Sequence, residues 1–221
     1  MSAAPSWLRH ELLSSLPHGF GARGCQPPPG LMRAVQVHGC RVIEVTRASD
    51  APIGQADALV CAVPGLPIGI VTADCLPVLL ATPSGVVGAA HAGWRGLAAG
   101  VLDATVAALA QVARDADRAV AVIGPHIGAS CYEVDEPVVR ALSQRFAGVL
   151  DGALRRTRPG HFEIELARLA AFDLRRAGLA PERVATLSDA CTACDAERFH
   201  SYRRDGPGAG RLFHYISAIE A

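Results

Sequence analysis

Short apolar runs dominate the first half of the chain. Each run is bounded by glycine, proline or polar residues and is rich in valine, isoleucine and leucine, which is the pattern of β-strands. The pattern predicts six strands, over residues 32–37, 41–46, 58–62, 66–72, 77–81 and 86–91. This half of the chain is therefore expected to form sheets.

Helical spacing of apolar side chains becomes clear over residues 97–112. The same spacing predicts helices over 136–150 and 163–177, the second ending at Gly178, and a short helix over 5–16. Three further strands are predicted over 119–123, 184–187 and 212–219.

This order of elements limits the fold class. Six predicted strands precede the first long helix, which argues against a repeating βαβ barrel. The sequence instead predicts an α+β (α/β layered) fold with mixed β-sheets flanked by helices. At 221 residues, the chain is expected to form a single domain over residues 1–221.

Composition narrows the class of protein further. Half of the residues are hydrophobic and 19% are charged, so the chain is globular rather than disordered. The formal net charge is zero, so neither nucleic acid nor a membrane is expected as a partner. All 21 basic residues are arginines, which excludes lysine Schiff-base chemistry and a P-loop lysine.

The cellular location is predicted from what the sequence lacks. No apolar run reaches the roughly 18 residues of a membrane span, and the first residues lack the charged head and apolar run of a signal peptide. The seven cysteines are an odd number without a secretory context and are expected to be reduced thiols. A cytoplasmic protein is therefore predicted.

Three segments place a histidine or a cysteine at the edge of an apolar run, and they contain His38, Cys75 and His91. Two imidazoles and one thiolate form a zinc-binding set, and three protein ligands leave a fourth position open, as in catalytic sites. Taken singly, each residue also fits a packed histidine or a buried thiol. Because they are 37 and 16 positions apart, only the fold could bring them together.

Two charged residues next to these segments also point to a site. Asp74 lies beside Cys75 between two strongly apolar runs, where a buried carboxylate must be paired or neutralised. Arg95 lies in a glycine-flanked turn before a helix expected to start near Leu97, an arrangement that favours an anion. The alternative for Arg95 is an ion pair with a surface carboxylate beside a packed Trp94.

Other candidates are weaker. Arg203 belongs to a polar segment that would otherwise be a solvated hairpin tip, and His126 follows a buried strand, where it could line a pocket or cap the loop. Cys191 and Cys194 form a lone C-x-x-C, which without a second pair is poor evidence for a structural zinc. Cys131 and the remaining cysteines are interpreted as packing thiols.

Taken together, these segments resemble the YfiH-like family, whose members carry the labels multicopper polyphenol oxidoreductase, laccase-domain protein and purine nucleoside phosphorylase. The resemblance runs almost from end to end. It rests on His18-Gly19-Phe20 with Arg23, Gln36-Val37-His38-Gly39, Ala56-Asp57-Ala58-Leu59-Val60, Thr72-Ala73-Asp74-Cys75-Leu76-Pro77, Ala90-His91-Ala92-Gly93-Trp94-Arg95-Gly96, Gly124-Pro125-His126-Ile127-Gly128, Cys131-Tyr132-Glu133-Val134, Cys191-Thr192 and residues 199–211.

The resemblance implies a zinc enzyme with His38, Cys75 and His91 as metal ligands. The implied reactions are phosphorolysis of adenosine, inosine and S-methyl-5′-thioadenosine and deamination of adenosine to inosine. Phosphorolysis needs a bound phosphate, for which Arg95 is the first candidate, with Arg23 and Arg203 as further substrate-binding candidates. Asp74 is the candidate proton shuttle or orienting residue, and a monomer is expected.

Three alternatives remain at this stage. The family's fold also resembles cysteine hydrolases of the bacterial deamidase-toxin type, in which Cys75 would be the nucleophile and His91 the base, acting on an amide such as a cell-wall precursor peptide. Copper could substitute for zinc and support polyphenol oxidation, although multicopper oxidation needs more histidine ligands than the eight histidines of this chain. The third alternative is a binding module without enzymatic activity.

Overall fold

Three β-sheets and five short α-helices make up the architecture of the described residues. A computed structural model describes residues 6–50 and 52–220. The strands in these residues are β1 His18–Phe20, β2 Val42–Val45, β3 Ala58–Cys61, β4 Pro67–Thr72, β5 Leu76–Ala81, β6 Val87–Ala92, β7 Val120–Ile123, β8 Glu133–Asp135, β9 Leu154–Arg158, β10 His161–Ile164, β11 Val184–Thr186 and β12 Leu212–Ser217. The helices are α1 Trp94–Ala99, α2 Val101–Val112, α3 Glu136–Phe146, α4 Leu166–Arg176 and α5 Tyr202–Asp205.

A six-stranded mixed sheet with the order β11-β7-β5-β6-β3-β2 forms the centre of the fold. The central strands β5 and β6 pair antiparallel and are buried along their whole length, which explains why they read as continuous apolar runs. Side chains alternate between the two faces of β5: Val78 and Leu80 pack towards the helices, and Leu79 packs towards the opposite face.

Each face of this sheet has its own core. Helices α2, α3 and α4 cover one face with apolar side chains that include Leu102, Leu142 and Leu169. The three-stranded sheet β1-β12-β4 covers the other face, where Ile68 and Ile216 are fully buried. The third sheet has the order β8-β10-β9. This layered mixture confirms the predicted α+β fold class.

The segment before β2 departs from the sequence prediction. Residues 32–37 were expected to form a strand, but only isolated bridges occur at Met32 and Val35. The Gln36 side chain accounts for this, because its amide donates to the Val71 carbonyl and accepts from the Val71 N–H, both at 2.8 Å. A side chain thus provides the hydrogen bonds that a neighbouring strand would provide.

The helix expected over 5–16 is also absent from the described part of that range, and Pro5 lies outside the described residues. Leu8 instead forms a bridge with Phe20, and a single 3₁₀ turn spans Glu11–Leu13. The backbone of Leu8 exchanges hydrogen bonds with Phe20 in both directions, so this segment extends the β1 edge.

The helix predicted over 97–112 begins earlier and is broken. Helix α1 starts at Trp94, and Gly100 separates it from α2 with a φ of +86°, a backbone conformation that glycine adopts readily. A Cβ on Gly100 would lie 2.8 Å from the Arg145 guanidinium, the end of a flexible side chain that can shift, so it is the backbone conformation that requires glycine. Arg95 therefore lies inside a six-residue helix and not in a turn before it.

Two other helices are shorter than predicted. The range 136–150 is helical only to Phe146, and the first part of 163–177 belongs to strand β10, with the helix starting at Leu166. The predicted end of the second helix at Gly178 agrees with the positive φ of +113° at this glycine. Strands β1, β8, β9 and β10 were not predicted, because they are short or carry charged residues. Among the described residues, none of the helices has both the length and the apolar character needed to cross a membrane.

Candidate metal centre and its cavity

Three chain segments meet where the six-stranded sheet joins the β1-β12-β4 sheet. Cys75 lies in the turn between β4 and β5, and β6 brings His91 next to this turn, since His91 is paired with Pro77. His38 lies in the loop before β2 and has a φ of +61°. One ring nitrogen of His38, one ring nitrogen of His91 and the Cys75 sulfur all lie within 4.8 Å of one another. The structure therefore brings together the three residues predicted as ligands.

Asp57 links two of these residues. Its Oδ1 lies 2.8 Å from Nδ1 of His91, and its oxygens accept the backbone N–H groups of Val37, His38 and Gly39 at 3.2, 2.9 and 2.7 Å. The carboxylate is fully buried at the start of β3. It therefore orients the His91 ring and anchors the loop that carries His38, a role that sequence reasoning missed. The available signal was an aspartate opening an apolar run.

Hydrogen bonds and charge shift the pKa values of Cys75 and His91 in opposite directions. Burial alone would raise the pKa of the Cys75 thiol, but hydrogen bonds from His38 and His91 outweigh it and lower the pKa from 9.0 to about 7. Burial disfavours charge on His91 as well, yet Asp57 and Cys75 raise its pKa from 6.5 to about 9.

The donor set fits a metal ion such as zinc. Two imidazoles and a thiolate are common zinc ligands, and a histidine whose other ring nitrogen is held by a carboxylate is the usual arrangement at such sites. Exposure of the three residues increases from the buried His91 through Cys75 to the exposed His38. A fourth coordination position would therefore face the open side of the centre.

A cavity of about 810 Å³ opens over these three residues. Four arginines and one carboxylate line it, so the lining carries a net positive formal charge. The lining residues are Arg33, Ala34, Val35, Gln36, His38, Pro52, Val71, Thr72, Ala73, Asp74, Cys75, His91, Trp94, Arg95, Tyr132, Tyr202, Arg203 and Arg211. The arrangement can bind an organic ligand that carries or accompanies an anion.

Two of the predicted site arginines line this cavity. The Arg95 guanidinium lies 4.2 Å from the ring centroid of Trp94, and no carboxylate in the described part of the chain forms an ion pair with it. Arg203 lies 5.0 Å from the ring of Tyr132 and donates to the Glu133 carbonyl at 3.0 Å. Stacking of this kind holds a guanidinium in place while leaving it charged.

Asp74 joins two parts of the cavity wall. Its Oδ1 accepts from the Thr192 hydroxyl at 2.6 Å, and its Oδ2 accepts from the backbone N–H of Arg203 at 2.7 Å. The residue has a φ of +100°, a rare conformation for a non-glycine residue. Asp74 therefore fixes the segment that carries Arg203, through contacts that no sequence pattern predicted.

The other two predicted substrate-binding residues do not line the cavity. Arg23 forms an ion pair with Asp205 at 3.4 Å and donates to the Phe199 carbonyl at 3.0 Å. The His126 ring is close to the Gly124 carbonyl, with Nδ1 at 2.7 Å, and burial lowers its pKa. His126 thus caps its own loop, which was the alternative considered for it.

The cavity also contains residues that sequence reasoning did not select. Arg33, Gln36, Tyr132, Tyr202 and Arg211 line it without having been assigned a role. Tyr132 is half-buried, and burial raises its pKa to about 12. Their positions depend on loops that meet only in the folded chain, so no local pattern marked them.

Comparisons with known proteins agree with this architecture. The family model described as multi-copper polyphenol oxidoreductase laccase matches residues 21–219. A Xylella fastidiosa protein named purine nucleoside phosphorylase is 43% identical over 176 residues, which cover 77% of this chain and 65% of that protein. A protein named adenosine deaminase RL5, from an unknown prokaryotic organism, is 34% identical over 187 residues, covering 80% of this chain and 71% of that protein.

Solved structures show the same fold. The crystal structure of the Bacillus licheniformis hypothetical protein YfiH matches with a TM-score of 0.88 and 28% sequence identity, covering 97% of both chains. The chain thus matches a whole solved structure but only about 65% of the length of the Xylella protein.

Proposed function

The chain belongs to the family described as multi-copper polyphenol oxidoreductase laccase, and from this premise we propose that it is a zinc-dependent purine nucleoside enzyme. Its reactions would be phosphorolysis of adenosine, inosine and S-methyl-5′-thioadenosine, and hydrolytic deamination of adenosine to inosine. Relatives named purine nucleoside phosphorylase and adenosine deaminase support this proposal. We also propose that the enzyme is a single-domain cytoplasmic monomer.

One observation carries the proposal: the His38, Cys75 and His91 centre lies in an arginine-lined cavity. A cavity of about 810 Å³ has the size of sites that enclose a small organic molecule. The aromatic rings of Trp94, Tyr132 and Tyr202 offer surfaces for a purine base, and the arginines offer charge for phosphate. A nucleoside and a phosphate ion match both features.

In phosphorolysis, a phosphate oxygen forms a bond to ribose C1′ while the bond from C1′ to the base breaks. The products are ribose 1-phosphate and the free base. The protein must hold the phosphate close to C1′ and stabilise the charge that develops. We assign phosphate binding to Arg95 and Arg203, since both guanidiniums are stacked on aromatic rings at the cavity wall.

In deamination, water replaces the amino group at C6 of adenine and ammonia leaves. Zinc bound to His38, Cys75 and His91 would supply Lewis acidity and activate a water. The chain's own contribution is orientation, because Asp57 fixes the His91 ring and the backbone of His38. The role of Asp74 stays a prediction, and its bonds to Thr192 and Arg203 favour orientation over proton transfer.

A second candidate function rests on a different observation. The arrangement of Cys75, His91 and Asp57 is that of a cysteine-hydrolase triad. A thiol of lowered pKa lies beside an imidazole, and a carboxylate contacts the other ring nitrogen of that imidazole. Such an enzyme would attack an amide carbonyl through the Cys75 sulfur. The substrate would be an amide such as a cell-wall precursor peptide.

Product analysis distinguishes the two functions. Adenosine incubated with the zinc-loaded protein should give inosine without phosphate, and adenine plus ribose 1-phosphate with it, as measured by chromatography. Cys75→Ala should abolish both reactions, while Cys40→Ser, at an exposed thiol, should leave them unchanged.

Inhibitors provide a second test. A chelator should abolish the activity of the nucleoside enzyme, whereas a cysteine hydrolase would stay active with the chelator and be inactivated by iodoacetamide. No conversion of adenosine, inosine or methylthioadenosine would overturn the proposal.

A further inference from the structure

Three cysteines form a second cluster of potential metal ligands. The sulfurs of Cys131, Cys191 and Cys194 all lie within 4.8 Å of one another, and those of Cys131 and Cys194 are 3.2 Å apart. Cys131 had been interpreted as a packing thiol and the Cys191–Cys194 pair as a lone motif. The fold places a third sulfur, from 60 residues earlier in the chain, beside this pair.

Two loops carry these sulfurs and are held in register by their backbones. Cys131 ends a 3₁₀ turn that starts at Ala129, and Cys191 and Cys194 lie in one tight turn. His126 forms a β-bridge with Cys191, and the His126 carbonyl accepts a hydrogen bond from the N–H of Thr192 at 3.0 Å. This bridge places the segment that leads to Cys131 beside the turn that carries Cys191 and Cys194.

The surroundings of Cys191 suit a thiolate, whereas hydrogen bonds with Cys131 and Cys191 raise the pKa of Cys194 to about 12. The backbone N–H of Gly128 donates to the Cys191 sulfur at 3.2 Å, and the amides of Ala193 and Cys194 face the same sulfur. Amide donors directed at a sulfur stabilise its anionic form, which is the form that binds metal ions.

Two arginines contact the two loops that carry the cluster. Arg204 donates to the carbonyls of Thr192 and Ala193 at 2.8 and 3.1 Å, and Arg203 lies 3.4 Å from the Cys131 carbonyl. Three thiolates on a divalent ion carry one net negative charge. Arg204 is paired with Asp205 at 2.8 Å, so Arg203, which has no carboxylate partner among the described residues, is the guanidinium that would offset this charge. The chemistry around the cluster thus matches the charge of an occupied site.

We propose that Cys131, Cys191 and Cys194 bind one zinc ion through three thiolates, separately from the His38, Cys75 and His91 centre. Zinc–sulfur bonds of roughly 2.3 Å place two sulfurs of a tetrahedral site about 3.8 Å apart. The sulfurs of Cys131 and Cys194, 3.2 Å apart, are closer than this distance, and all three sulfurs lie within 4.8 Å of one another. Binding releases any protons still held by the thiols, and the exposed side of Cys194 leaves room for a water as the fourth ligand.

The proposed ion would stabilise the cavity wall. Tyr132, next to Cys131, lies under Arg203, and Thr192, next to Cys191, holds Asp74. Tying these two loops together would therefore fix the residues that face the substrate. The site is structural and takes no part in the reaction itself.

Metal stoichiometry tests the proposal. The reduced full-length protein is saturated with zinc, freed of excess ion by buffer exchange and analysed by mass spectrometry for zinc per chain. Two zinc ions are expected in the wild type and in Cys40→Ser, one in Cys194→Ser, one in Cys75→Ala and none in the double variant. Cys194→Ser is the preferred variant because this side chain is exposed, and thermal unfolding confirms that it folds.

Cadmium provides a spectroscopic check. When the Cys75→Ala variant is titrated with cadmium, the charge-transfer absorption of cadmium thiolates should appear. The double variant, which also carries Cys194→Ser, should not show this absorption. One zinc per chain in the reduced wild type, with none in Cys75→Ala, would overturn the proposal. This result is independent of nucleoside turnover, so a protein with two zinc ions and no activity would contradict only the proposed function.

Discussion

Oδ1 of Asp57 lies 2.8 Å from Nδ1 of His91, and both side chains are buried. The same carboxylate accepts the backbone N–H groups of the loop that carries His38. One residue thus positions two of the three proposed ligands. This arrangement makes Asp57 a positioning residue, with effects that can be separated from those of the ligands themselves.

We expect Asp57→Asn to lower zinc affinity at this centre by about ten- to a hundredfold, as measured by competition with a chromophoric chelator. An amide keeps the shape of the carboxylate but lacks its charge and a second acceptor oxygen. Asp151→Asn, at an exposed position, is the matched control and should bind zinc normally. Unchanged affinity in Asp57→Asn would show that His91 is oriented without this carboxylate.

Gly93 provides a steric test of the same centre. A Cβ at this position would lie 2.9 Å from the Cys75 sulfur and 3.3 Å from Cδ2 of His38. Gly93→Ala should therefore displace both groups, reduce zinc at this centre and destabilise the fold by about 1–3 kcal/mol through overpacking. Gly148→Ala is the control, because nothing lies within 4 Å of its added Cβ. Zinc content and thermal unfolding measure the two effects, and normal zinc content in Gly93→Ala would contradict the expectation.

Arg95 distinguishes the two proposed reactions. Only phosphorolysis uses an anionic nucleophile, so Arg95→Ala should lower phosphorolysis about ten- to a hundredfold, given that a charge-assisted hydrogen bond is worth roughly 1.5–3 kcal/mol. Deamination should change far less. Both rates are followed by chromatography of the products formed from adenosine.

Arg155→Ala is the control for this variant, because Arg155 is exposed on β9 and pairs with Glu163 away from the cavity. Equal loss of both activities in Arg95→Ala would mean that the side chain holds the nucleoside or the loop. Loss of neither would make Arg95 a surface arginine stacked on Trp94.

A buried histidine should make stability depend on pH. His214 is fully buried, Thr72 lies 2.9 Å from its Nε2, and its Nδ1 has no hydrogen-bond partner among the described residues. Burial lowers its pKa from 6.5 to about 3. Between these two values the unfolded chain holds a proton that the folded chain does not, so stability falls as the pH falls from 6.5 towards 3.

The expected contribution of His214 is about 1.4 kcal/mol of unfolding free energy per pH unit in that window. His214→Gln keeps an acceptor or donor for Thr72 and does not titrate, so its stability should depend less steeply on pH. Urea unfolding at several pH values measures both slopes. Equal slopes for the wild type and the variant would show that His214 does not cause the acid sensitivity.

Local patterns in the sequence determined most of the elements of this fold. Alternation and apolar content located β3 to β7, because these strands are buried and carry few polar residues. The same patterns wrongly predicted a strand over 32–37 and a helix over 5–16. Side-chain hydrogen bonds from Gln36 replace strand pairing in the first segment, and Leu8 forms a strand-like bridge in the second. Periodicity reports which face of a segment is buried, and it does not report which polar group will complete the backbone hydrogen bonds.

The site shows the same division. The sequence by itself indicated His38, Cys75 and His91 as candidate metal ligands, since each residue lies at the edge of an apolar run. Only the tertiary structure decided that Asp57 orients His91 and that Cys131 joins Cys191 and Cys194. These contacts depend on strand register and on loops that meet across the fold, and residues dozens of positions apart leave no periodic signal of such a meeting. The sequence therefore determined the available chemistry, and the packing of the sheets decided which groups act together.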